Sequence, residues 1–123
     1  MSKKRILLID DEPSFTNVLK LNLEETGAYE VRTENRGKQG LVAARQFKPD
    51  LILLDVIMPG MDGGDVASEI QTDENLKNIP IVFLTAVAKK KEEGIIAGRP
   101  FIAKPVTVEK VVACIEKILS LSS

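Results

Sequence analysis

The sequence has no histidine, no tryptophan and a single cysteine, and its aromatic content is four phenylalanines and one tyrosine. Without histidine the chain lacks the commonest general base and the imidazole metal ligand. Cys114 has no second cysteine with which to form an internal disulfide, and together these two absences argue against zinc or Cys-His chemistry. Long apolar runs are missing too. Met1-Ser2-Lys3-Lys4-Arg5 leads into only four apolar residues, too few for a signal peptide, and no later stretch is long enough to span a bilayer. Charge of one sign is also absent: 17 basic and 18 acidic residues leave a formal net of −1, which gives no footprint for wrapping nucleic acid or lying on an anionic membrane. The chain shows no internal repeat, no Gly-x-Gly-x-x-Gly and no Gly-Lys-Ser/Thr phosphate loop. These absences lead to the expectation of a soluble, cytoplasmic protein with no direct nucleic-acid or membrane binding, whose partners are recognised locally. At 123 residues it fits one domain, 1–123 with a structured core over about 4–119, burying roughly two-thirds of its unfolded surface.

What is present is a series of short apolar runs that stop at polar residues. Leu51-Ile52-Leu53-Leu54 has the length of a strand buried on both faces and ends at Asp55. Ile6-Leu7-Leu8-Ile9 ends at Asp10 and Asp11, and Ile81-Val82-Phe83-Leu84 ends at Thr85. Pro100-Phe101-Ile102-Ala103 is briefer and ends at Lys104-Pro105. A fifth segment, Tyr29 to Glu34, alternates in the manner of a strand with one wet face.

Helical patterns separate the strands. Glu12-Pro13 suits a helix start, followed by Phe15, Leu19 and Leu23 at four-residue spacing, and Gly27 ends that helix. Asn35 is expected to cap a second helix, in which Gly40, Leu41, Ala44 and Phe47 share a face. After the loop residues Met58 to Gly63, a third, glycine-weakened helix buries Val66, Ala67 and Ile70. The next helix, expected over Ala88 to Glu93, holds Lys89-Lys90-Lys91-Glu92-Glu93 and no large apolar residue, so it should be short, with high mobility from Ala88 to Ile96. The last helix carries Val108, Val111, Ile115 and Ile118 on one stripe, with Cys114 among them as a small core residue.

Strand followed by helix five times over gives an α/β, doubly wound (βα)5 arrangement of the flavodoxin-like kind. The all-apolar strands belong inside the sheet, and the alternating second and Pro-led fifth belong at its edges, which fits a five-stranded parallel sheet in the order 2-1-3-4-5. Parallel strands point one way, so Asp10, Asp11, Asp55, Thr85 and Lys104 gather at one rim, beside the crevice where the winding direction changes. Three crowded carboxylates repel unless cations offset them. Lys104 supplies one charge, and the remaining all-oxygen deficit suits a hard divalent ion such as magnesium. An aspartate could then attack phosphorus to form an acyl phosphate, with Thr85 donating to the phosphoryl group, although spacing alone does not say which acid attacks.

In Ile9-Asp10-Asp11-Glu12, Leu54-Asp55-Val56-Ile57-Met58-Pro59-Gly60-Met61-Asp62-Gly63, Leu84-Thr85-Ala86 and Phe101-Ile102-Ala103-Lys104-Pro105, the chain resembles the receiver domain of two-component response regulators over nearly its whole length. The resemblance implies that Asp55 is the phosphoacceptor and that Asp10, Asp11, Asp55 and the backbone carbonyl of Ile57 hold Mg2+ or Mn2+. It further implies that Thr85, the backbone of Ala86 and Lys104 bind the phosphoryl oxygens, and that Thr85 and Phe101 form the switch. The expected donor is a sensor histidine kinase or a histidine phosphotransfer protein, since the chain has no histidine of its own. The expected listener is a downstream protein or output domain. The sequence leaves a homodimer through the fourth and fifth elements open. Ile57 and Val87 are apolar at positions where polar groups could orient an attacking water, so slow self-dephosphorylation is expected.

Each signal also has a plainer reading. An Asp-Asp pair after a strand often serves as a turn and cap, a lysine before proline is often a solvated loop residue, and Phe101 could be edge packing. Convergence at one rim favours the functional reading. The protein is then a self-assisting switch rather than a turnover enzyme. The alternative is a phosphorylation-independent, receiver-like protein-binding module, supported mainly by the degraded fourth helix and opposed by the intact set of five site residues. A haloacid-dehalogenase-type phosphohydrolase needs a second acid two residues after the nucleophile, where Ile57 stands.

Overall fold

The computed structural model describes residues 3–86, 95–96 and 98–122. In chain order its elements are β1 (Lys4–Ile9), α1 (Pro13–Glu25), β2 (Tyr29–Glu34), α2 (Gly37–Phe47), β3 (Leu51–Asp55), α3 (Gly63–Thr72), β4 (Ile81–Thr85), β5 (Ile95–Ile96), β6 (Arg99–Ala103) and α4 (Val108–Ser122). The sheet runs β2-β1-β3-β4-β6-β5, with β1, β2, β3, β4 and β6 parallel and β5 antiparallel to β6. The five parallel strands therefore keep the order 2-1-3-4-5 expected from the sequence.

Alternation along the central strands divides the core in two, because successive side chains leave opposite faces of the sheet. Ile9, Ile52, Leu54 and Phe83 face α2 and α3, whereas Leu8, Leu53, Val82 and Leu84 face α1 and α4. Ile6 to Ile9 and Leu51 to Leu54 have no solvent exposure, so the strands that carry Asp10 and Asp55 to the rim are fixed on both sides. Pro13 occupies the first turn of α1, and Gly27 leaves that helix at φ +82°, a left-handed backbone suited to glycine.

Three expectations need correction. Asn35 does not cap α2; its N-cap is Arg36, which makes no side-chain cap hydrogen bond. The start of α3 is well built: Asp62 and Asp65 form a reciprocal capping box, and Gly63 is required because a Cβ there would lie 2.2 Å from the Asp55 carbonyl oxygen. Finally, the fifth parallel strand, β6, begins at Arg99 and is not a bare edge, since β5 pairs with Arg99 and Pro100. A two-residue strand has too little pattern to be read from the sequence. The helix expected over Ala88 to Glu93 and Val87 lie outside the described residues, as does most of the stretch expected to be mobile.

Candidate functional site

The rim is built by continuing the sheet's ladder one residue past each strand. The Asp10 N–H donates to the Glu34 carbonyl at 3.1 Å, the Val56 N–H to the Leu84 carbonyl at 3.1 Å, and the Lys104 N–H to the Thr85 carbonyl at 2.7 Å. These backbone bonds hold Asp10, Asp55, Thr85 and Lys104 in adjacent positions before any side chain interacts. Asp10 is fully buried, Asp55 and Thr85 nearly so, and Asp11 is partly exposed.

Lys104 lies across the cluster. Its Nζ is 2.7 Å from Asp10 Oδ2, 3.6 Å from Glu12 Oε1 and 3.9 Å from Asp55 Oδ1, and it sits 4.6 Å from the centre of the Phe15 ring. Asp10 Oδ1 accepts from the Glu12 N–H at 3.0 Å. Asp10 Oδ2 is buried without a directed hydrogen bond among the described residues, so the ammonium's charge is what answers it.

Burial and crowding set the proton affinities. Loss of water, followed by repulsion from Asp10, pushes the Asp55 carboxyl up to about 7 despite the Lys104 charge. Burial likewise raises Asp10, against the lowering effect of Lys104 and the Glu12 N–H. Burial alone would lower Lys104, but the Asp10, Asp55 and Glu12 carboxylates more than offset it and hold the ammonium above its ordinary value. The rim is therefore short of positive charge.

Asp10, Asp11 and Asp55 each offer a carboxylate oxygen, and these oxygens lie within 4.8 Å of one another. An all-oxygen donor set with few carboxylates suits magnesium, which keeps waters and accepts a phosphate oxygen. The residues fit the metal.

The pattern of response regulator receiver domains matches residues 6–116. The chain belongs to this family. This receiver domain is 33% identical over 121 residues to the protein PilH of Pseudomonas aeruginosa, covering 94% of this chain and 98% of that one. It is 36% identical over 118 residues to the DNA-binding dual master transcriptional regulator RpaA of Synechocystis, covering 94% of this chain but spanning about half, 48%, of that regulator. Among solved structures it resembles the receiver domain of the sensor histidine kinase PA1611 of Pseudomonas aeruginosa, with a TM-score of 0.85, 30% identity and coverage of 97% and 99%; that structure has magnesium coordinated in its active-site cleft. The receiver domain thus has the fold and family of two-component signalling proteins. Among its described residues no helix is long and apolar enough to cross a membrane.

The structure brings Asp10, Asp11, Asp55 and Lys104 together and sets Thr85 on the adjacent strand, as the sequence suggests. Phe101 is buried, in register with Phe83 on the α2 and α3 face of the sheet. Ile57 is 59% exposed, and Ala86 is exposed at the end of β4. Cys114 is half-buried, and burial pushes its thiol up, consistent with a packing role. Sequence reasoning gave Phe15, Glu12 and Asn35 only helix-forming roles and missed their place at the site. The Asn35 amide donates to the Asp10 carbonyl at 2.7 Å and to Thr16 Oγ1 at 3.2 Å, tying the end of β1 to α1. Its signal was available, since Asn35 immediately follows β2 and so falls at the same rim.

Proposed function

We propose that Asp55 accepts a phosphoryl group from a phosphohistidine of a sensor kinase or phosphotransfer protein, and that the modified domain signals to a downstream partner. The observation that carries this reading is the set of Asp10, Asp11 and Asp55 oxygens within 4.8 Å of one another, with the Lys104 ammonium against them. An Asp55 carboxylate oxygen attacks phosphorus; the O–P bond forms as the N–P bond breaks, and the departing imidazole takes the bonding pair and a proton. Asp10, Asp11, Asp55 and the Ile57 carbonyl would hold magnesium, whose charge would keep Asp55 ionised and offset that of the phosphoryl oxygens.

Lys104, 3.9 Å from Asp55 Oδ1, is close enough to follow a phosphoryl oxygen once one is attached. Thr85 and the Ala86 backbone supply donors from the neighbouring strand end, and buried Phe101 occupies the inward side of the switch. The domain is a self-assisting switch, not a turnover enzyme, and exposed Ile57 together with Val87 keeps the acyl phosphate long-lived by offering no polar group to orient water.

Incubation with acetyl phosphate and magnesium, followed by intact mass, tests the reading. Wild type should gain one phosphoryl group and Asp55→Asn none. No gain from acetyl phosphate or from a phosphorylated histidine donor would favour a phosphorylation-independent binding module, and sustained phosphate release from many esters would favour a hydrolase.

A further inference from the structure

The position of Lys104 raises a question that its charge partners do not answer. A lysine has a four-carbon stem with many rotamers, and holding its ammonium at one point costs side-chain entropy. Asp10 holds it at 2.7 Å, but only on one side; Glu12, at 3.6 Å, has a side chain 63% exposed and is too well hydrated to fix it. A remaining side is covered by the Phe15 ring, 4.6 Å from Nζ. Phe15 lies on the first turns of α1, whose buried Leu19 and Leu23 hold the helix to the sheet, so the ring has a fixed base.

We infer that Phe15 is a positioning residue for phosphoryl transfer, its ring face holding the Lys104 ammonium over the carboxylate cluster; this rests on Asp55 being the phosphoacceptor. The aromatic face attracts the cation through its quadrupole and excludes water from that side, yet it accepts no strong directed hydrogen bond. The ammonium's N–H groups therefore stay available. A carboxylate in the same place would bind Lys104 and compete with an incoming phosphoryl oxygen. The ring instead lets Nζ shift from Asp10 towards a group on Asp55, the two oxygens being 2.7 and 3.9 Å away, without leaving the aromatic surface. Asp10 is thereby relieved of its ammonium when the phosphoryl group takes it over.

The test separates the ring from its bulk. Phe15→Leu keeps an apolar side chain and removes the quadrupole, whereas Phe15→Trp and Phe15→Tyr retain it. With acetyl phosphate and magnesium, Phe15→Leu should label Asp55 about five-fold more slowly, within the range expected for one half-buried cation–π contact, and both aromatic variants should stay within about two-fold of wild type. In a Lys104→Arg background, where the cation is kept but reshaped, the penalty of Phe15→Leu should change, because the two residues act together. A second readout does not depend on activity: the Lys104 ε-protons should resonate upfield from the ring current, and should return to ordinary lysine positions in Phe15→Leu while core methyl signals stay unchanged. Equal labelling of wild type and Phe15→Leu, an equal fall in all three variants, or ordinary ε-proton shifts in wild type would overturn the inference. Failure of wild type itself to take a phosphoryl group would overturn the phosphoacceptor reading as well, an outcome distinct from the other three.

Discussion

The two ends of the parallel sheet carry the same kinds of group and use them differently. At the end where the strands begin, Arg5 is paired with Glu30 at 3.7 Å, donates from its backbone N–H to Asp50 at 2.8 Å and from Nη1 to the Phe47 carbonyl at 2.7 Å, and lies 5.3 Å from the Phe47 ring centre. At the other end Lys104 meets Asp10, Glu12 and Asp55 and sits over Phe15. Both ends have a cation, carboxylates and a phenylalanine face. The first is about half exposed, so water does most of the work of stabilising its charges. The second is buried, and one lysine faces an excess of acid. An assembly that served only stability would resemble the first end; the second keeps charges in a place where folding pays for them, which is what a reactive site requires.

Several substitutions would break or sharpen this contrast, the largest effects coming from the buried end. Gly63→Ala would drive a Cβ to 2.2 Å from the Asp55 carbonyl, against backbone that has no rotamer to yield. Overpacking of this kind costs about 3 kcal/mol, read as a lower urea midpoint. At the opposite end Gly27→Ala meets nothing within 4 Å and has only its φ of +82° to oppose it, so about 1 kcal/mol is expected. Near-equal losses at the two glycines would refute the idea that the rim is the tighter end.

The next effect is a pH dependence. Asp55 binds its proton more tightly in the folded state, at about 7 against 3.8 unfolded, so the unfolded state holds fewer protons in that window. Stability of the metal-free domain therefore falls as pH rises from about 4 through 7, by on the order of 3 kcal/mol from this group alone. Asp10, also raised, acts in the same direction. Lys104, raised above 10.5, contributes stability that is fully present below that value and is lost only in strong alkali, outside this window. Asp55→Asn should flatten the curve between pH 5 and 8; denaturation at the two pH values measures it, and an unaltered slope would remove Asp55 as the cause. Magnesium should restore stability at pH 8, by about 2.7 kcal/mol at a hundred times its dissociation constant, and much less in Asp11→Asn. The smallest effect belongs to the solvated pairs: Glu30→Gln, which removes the carboxylate facing Arg5, should change stability by less than about 0.5 kcal/mol.

Much of this arrangement was legible because buried parallel strands leave a coarse trace. Leu51 to Leu54 are apolar on both faces, and the residue after such a run must surface at the rim, so the sequence alone groups Asp10, Asp55, Thr85 and Lys104. What remained hidden depended on which elements meet. The spacing of Phe15 with Leu19 and Leu23 identifies a helix face but not the lysine that crosses it from β6. Gly63 looked like a weak start to a helix, because no pattern in the sequence reveals that another strand's carbonyl occupies the space of its missing Cβ. β5 was hidden for a different reason: two residues are too few to show alternation.

The close approach at Gly63 also decides where the molecule can yield. The Gly63 N–H donates to the Val56 carbonyl at 2.8 Å, and the helix behind it is fastened by the Asp62 and Asp65 box, so the backbone of Asp55 rests against a stop. On the proposed function, because the strand cannot back into α3, a phosphoryl group on Asp55 would find no room behind it. Its bulk and charge must be taken up on the other side, by the long stem of Lys104 and by the end of β4. In mechanical terms Asp55 is clamped at the rear and sprung at the front, and a signal started there by the proposed phosphorylation would travel towards the side that has room to move.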